Sequence, residues 1–149
     1  MTTLLWSLMG ILAGAFVALQ APINAQLGRD LGSPVAAAGV SFFAGAVVLG
    51  LATIFFARLQ GISLNFRAPP PWLFIAGGVL GAAFVTNNVI LVQKVGAATL
   101  IALLMTGQLL AGLLMDRIGF MGLAVREITA GRIAGVFLLM AGALMIRLY

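Results

Sequence analysis

Cysteine and histidine are both absent from this chain. Without cysteine there is no disulfide frame, no thiolate nucleophile and no cysteine metal site. Without histidine the commonest general base and metal ligand is missing. Charge is scarce: 7% of the 149 residues are Asp, Glu, Lys or Arg, and three of these are acidic. There is also no glycine-rich phosphate loop and no Ser-His-Asp set. These absences argue against an enzyme, and neither a metal nor a cofactor is expected.

Apolar residues are what the chain has in excess. They make up 63% of it, and the mean hydropathy is +1.21. Soluble domains are about half apolar and about a quarter charged. A soluble chain of this length has too little interior to hide so much apolar surface, so the bilayer is its solvent. The net charge of +5 would elsewhere suggest nucleic acid. Here the eight basic residues are scattered between apolar runs, which fits anchoring at a membrane surface and not a phosphate-tracking stripe.

A spanning helix needs roughly 20 mostly apolar residues. Five runs qualify, at about 3–26, 34–57, 71–92, 97–115 and 132–147. The pattern predicts an all-α membrane protein, one integral domain over 1–149 with five transmembrane helices. The start, Met1-Thr2-Thr3-Leu4, has no basic n-region, so the first run reads as a retained span. Small residues recur at helical spacing: Gly10, Gly14, Ala18, Ala21 and Ala25; Ala37, Ser41 and Gly45; Gly77, Gly78, Gly81 and Ala82; Gly107 and Ala111; Gly131, Gly135 and Gly142. Such faces let helix backbones approach closely in lipid, which predicts a tightly packed bundle. Five spans put the termini on opposite sides. The N-terminal side then carries Arg58, Arg67, Arg117, Arg126 and Arg132, against Arg29, Lys94 and Arg147 on the other. Five against three is a slight bias toward a cytoplasmic N-terminus, with room for insertion both ways. Trp6 and Trp72 fall at one interface and Tyr149 at the other.

Polar groups inside the spans are the candidates for function. Gln20, Pro22, Asn24 and Gln26 interrupt the first run. Pro22 has no N–H for the Ala18 carbonyl, which weakens the helix there and makes Pro22 a candidate hinge. Gln20 and Asn24 are four apart and share a face. Solute contact and hydrogen bonding between helices are both open to them. Asn87 and Asn88 point about 100° apart on the third helix, so at least one is expected to face protein. Gln108, Gly112 and Asp116 stack on one face of the fourth helix. Asp116 sits at a helix C-terminus, where its charge opposes the macrodipole. It calls for a cation, from Arg117 or another loop arginine, in an ion pair or a coupling site. No ionisable residue lies mid-span, so any central site is neutral.

These motifs carry a resemblance. Gln20-Ala-Pro22-Ile-Asn24-Ala-Gln26-Leu27-Gly28 resembles the opening motif of the small five-helix YdcZ-type proteins of the drug/metabolite transporter superfamily. Val40-Ser41-Phe42-Phe43-Ala44-Gly45 and Gly107-Gln108-Leu109-Leu110-Ala111, followed by Asp116 and Gly119, resemble the same family. The resemblance covers nearly the whole chain. It implies a multi-pass protein of the bacterial inner membrane and an exporter of small molecules. It also implies an antiparallel pair, of identical chains or of related chains in opposite orientation. The superfamily's small multidrug-resistance members carry a glutamate on helix one that this chain lacks, so their proton exchange does not carry over.

Two readings follow. In the first, two inverted chains set Gln20, Asn24 and Gln108, with Asn87 and Asn88, around a cavity for a small organic solute. In the second, the chain is a non-transporting scaffold or regulatory subunit, and its amides only hold helices together.

Overall fold

Lipid offers no hydrogen bonds to backbone N–H and C=O groups, so an apolar segment within it must bond its own backbone. A computed structural model describes residues 2–148. It contains α1 (Thr2–Asp30), α2 (Pro34–Gln60), α3 (Leu73–Val95), α4 (Ala97–Ile118) and α5 (Ala130–Leu148), and no strand among the described residues. All five helices are long and apolar enough to cross a membrane. The fold is all-α with five membrane-spanning helices. Tyr149, expected at one interface, lies outside the described residues.

The helix ends have local causes. α1 runs past Gln26 to Asp30. The Gln26 amide donates to the Asp30 carboxylate at 2.8 Å, and the Arg29 guanidinium donates to the Gln26 carbonyl oxygen. Side-chain pairs three and four apart support an added turn. At 29 residues α1 is roughly 44 Å long, more than the ~30 Å hydrocarbon core, so its charged last turn reaches the headgroups. α2 starts at Pro34 behind Ser33, whose hydroxyl accepts the Ala36 N–H at 3.2 Å; a proline at the first position and a serine cap suit a helix start. α3 begins at Leu73, not Pro71, because the Pro70 and Pro71 carbonyls accept the N–H groups of Leu73 and Phe74 at 3.1 and 3.2 Å. The break before α4 is the single residue Gly96 at φ 81, a backbone that favours glycine. After α4 a short 3-10 turn, Phe120–Gly122, leads to an extended stretch. There the Arg126 N–H donates to the Asp116 carbonyl at 2.9 Å, folding the connection back onto the end of α4.

The chain forms two compact units that divide at Lys94 and Val95. In the first, α1 packs along α2 through a seam of small residues. Ala21, Ala25 and Gly28 of α1 and Ala37 and Ala38 of α2 are buried there. α3 joins at two close approaches. A Cβ added to Gly28 would lie 3.0 Å from Val89, and one added to Gly81 would lie 2.9 Å from the Phe42 ring. Ala38, Val85 and Val89 form the core, with Phe84 at its edge. In the second unit α4 packs along α5, and Val136 and Ala143 of α5 are buried.

The small-residue faces do less packing within one chain than their spacing suggests. Gly81 meets Phe42. Around Gly10, Gly14, Gly45, Gly107 and Gly135, a Cβ would meet nothing within 4 Å beyond its own helix. The reason is the shortage of neighbours. No span has more than 22% of its apolar window buried, so most helix faces, small residues included, look outward.

Candidate functional site

The polar residues of α1 point different ways. Asn24 sits between Ala21 and Ala25 on the buried face, 5% exposed. Its amide nitrogen donates to the Ser41 hydroxyl of α2 at 3.3 Å. That bond satisfies an amide which would otherwise be costly in lipid. Gln20, one turn earlier, is exposed. α1 is unbroken through Pro22, which lies between these two amides in sequence and whose exposed ring projects from the other side of the helix.

From α3, Asn88 completes a cluster. It is 5% exposed, and its Oδ1 has no hydrogen-bond partner among the described residues. Gln20, Asn24 and Asn88 line a chamber of about 10 Å³, walled otherwise by Val17, Ala21, Val85 and Val89. That is about the space of one water molecule. A second, open cleft of about 310 Å³ lies toward α2, lined by Gln20, Ser41, Phe42, Gly45, Ala46 and Leu49. Gln20 is the one residue that lines both the small amide chamber and the open cleft. Asn87 is not part of this cluster. It points outward and donates to the Ala83 carbonyl of its own helix at 2.9 Å.

Gln108 and Asp116 belong to the second unit. With Met105, Leu109, Gly112 and Leu113 of α4 they line a groove of about 720 Å³, closed on the α5 side by Arg132, Gly135 and Leu139. The cation facing Asp116 is Arg132, whose Nη1 lies 3.1 Å from Asp116 Oδ2. It is not Arg117. Consecutive helical residues diverge by about 100°, so Arg117 leaves α4 on another side and is exposed.

Two partners in these sites were not singled out by the sequence, although Arg132 is among the loop arginines open to Asp116. Ser41 stood out only as a small packing residue, yet a hydroxyl on an apolar helix is the kind of group a neighbouring amide needs in lipid. Arg132 could have been found from hairpin symmetry. α4 and α5 are joined by a short connection, and Asp116 and Arg132 are equally far from its midpoint. Among the described residues no group of three or more acidic, histidine or cysteine side chains could hold a metal.

Comparison with known proteins bears on this arrangement. A family described as "Putative inner membrane exporter, YdcZ" matches residues 5–145. The inner membrane protein YdcZ of Escherichia coli (strain K12) is 40% identical over 72 residues, which is 48% of this chain and 48% of that protein. The matched segment therefore spans about half the length of that relative. No solved structure matches the chain.

Proposed function

The chain belongs to the YdcZ inner-membrane exporter family, and on that premise we propose that it moves a small organic solute as an inverted pair of chains. It is a multi-pass inner-membrane protein whose helices contact lipid. The observation that carries the proposal is that Gln20 lines both the small amide chamber and the open cleft. A chamber of about 10 Å³ is too small for an organic solute, whereas the cleft of about 310 Å³ is at the lower end of small-molecule sites. A solute in the cleft contacts Gln20. Moving that side chain, and α1 with it, would expose Asn24 and the unpartnered Asn88 oxygen. Pro22, one helical turn at most from each α1 amide, is where the helix lacks a backbone hydrogen bond and bends at least cost. The site is neutral, so the solute is polar or amphipathic and not strongly charged.

One chain leaves the cleft open, and a second chain in opposite orientation would close it, as inverted repeats do in larger carriers. The test is efflux of a fluorescent amphiphile from loaded cells, for wild type and Gln20→Ala. Gln20 makes no hydrogen bond that holds the fold, so expression, pairing and thermal midpoint should stay within about 0.5 kcal/mol of wild type while efflux is lost. Unchanged efflux sinks the reading. Parallel loss of efflux and stability would make Gln20 a packing residue and favour the scaffold.

A further inference from the structure

We propose that the α4–α5 groove holds one phospholipid of the surrounding bilayer, its zwitterionic headgroup set against the Asp116–Arg132 pair and one acyl chain lying along the groove. The inference does not rest on export: a lipid would sit there whether or not the chain moves a solute.

Length is the first argument. From Asp116 to Met105 the groove follows about three turns of α4, roughly 16 Å at 1.5 Å per residue. That is close to half the ~30 Å hydrocarbon core, the depth of one leaflet. The charged end belongs at headgroup level, because Asp116 and Arg132 lie where α4 ends and α5 begins. The other end is apolar, with Met105, Leu109 and Leu139. Its floor is open because Gly112 and Gly135 carry no side chain and nothing lies within 4 Å of where a Cβ would stand.

Charge is the second argument. The pair makes one contact, Nη1 to Oδ2 at 3.1 Å, and the side chains are 30% and 33% exposed. A guanidinium has five N–H donors and a carboxylate about four acceptor sites, so most of both remain unused. Arg132 can donate to a phosphate oxygen while Asp116 accepts from a primary ammonium, and such charge-assisted bonds are the strong ones. A headgroup carrying both signs leaves neither partner uncompensated. A purely anionic one would set a second negative charge beside Asp116, with the Arg132 guanidinium shared between the two.

The full chain in dodecyl maltoside would be titrated with phosphatidylethanolamine and, separately, with phosphatidylglycerol of the same acyl chains, reading the thermal midpoint. Phosphatidylethanolamine should raise the midpoint by several degrees more than phosphatidylglycerol, as expected when a ligand binds the folded state selectively. Gly135→Leu, which fills the groove from an open position, should erase that difference, and so should Asp116→Asn. Gln108→Leu should keep it, because Gln108 lies at acyl depth and takes no part in headgroup binding. Equal shifts by the two lipids in wild type would overturn the proposal without reference to any variant. A preference that survives Gly135→Leu would also overturn it. Loss of the preference in Gln108→Leu would overturn the placement of the headgroup at the Asp116–Arg132 end, and an unstabilised wild type that pairs through this face would assign the groove to a second copy.

Discussion

Asn88 carries an unusual cost for a buried side chain. Leaving a buried polar atom unpaired costs about 1–3 kcal/mol, and Asn88 Oδ1 is such an atom in a chamber otherwise shared with Gln20 and Asn24. Asn88→Leu keeps the branched shape and the number of side-chain heavy atoms and removes the unpaired oxygen. It should therefore raise stability by about 1 kcal/mol while reducing efflux at least tenfold. The thermal midpoint in detergent and the efflux rate check the two halves. A destabilised Asn88→Leu would mean that the amide has a structural partner. Asn24 has one in Ser41, so Asn24→Leu should cost stability, by the ~1 kcal/mol typical of such bonds in membranes. Both asparagines are visible in the sequence as polar residues at membrane depth. Which of them is paired is not, because that depends on which face of α2 and α3 turns toward α1.

At the scale of the helix, glycines that look alike in the sequence separate by surroundings. Gly28 lies where α1, α2 and α3 converge, with Val89, Pro34 and Ala37 all within 3.6 Å of a Cβ placed there. Gly14 is on the same helix with nothing within 4 Å. Overpacking a tight site costs about 1–3 kcal/mol, whereas glycine in an open helix position is about 0.5–1 kcal/mol less stable than alanine. Gly28→Leu should lower the unfolding midpoint in detergent, and Gly14→Ala should leave it unchanged or raise it. The reverse order would mean that α1 packs through its N-terminal half. Helix starts and stops were more legible than this. Ser33-Pro34 and Gly96 act through their own backbone and cap chemistry, and a local cause can be read locally.

For the whole molecule the open question is orientation. Basic residues divide five to three between the two sides, too even a split to impose one topology. Single cysteines are easy to place in a chain that has none. Leu31 and Ser63 are exposed on opposite sides of α2 in sequence. They suit the purpose better than Ser33, whose hydroxyl caps α2. Leu31→Cys and Ser63→Cys should each react with an impermeant maleimide in intact cells and more fully in opened ones, which is the pattern of dual insertion and an inverted pair of identical chains. Labelling of one site only from outside and the other only from inside would fix the orientation and require a different chain as partner.

Composition determined the solvent of this protein, and the order of its residues, five apolar runs with polar breaks between them, determined the number of its helices. Both rest on apolar length along the chain, which no packing arrangement can undo. Tertiary structure decided which polar groups meet. It joined Asn24 to Ser41, closed Gln20 and Asn88 around one chamber, left Asn87 outside it, and gave Asp116 the distant Arg132 in place of the adjacent Arg117. The reason is rotational. In lipid, helices of similar apolarity have little hydrophobic preference for one face over another. The facing sides are therefore chosen by close approach, as at Gly28 and Gly81, and by a few hydrogen bonds formed only once the helices are together.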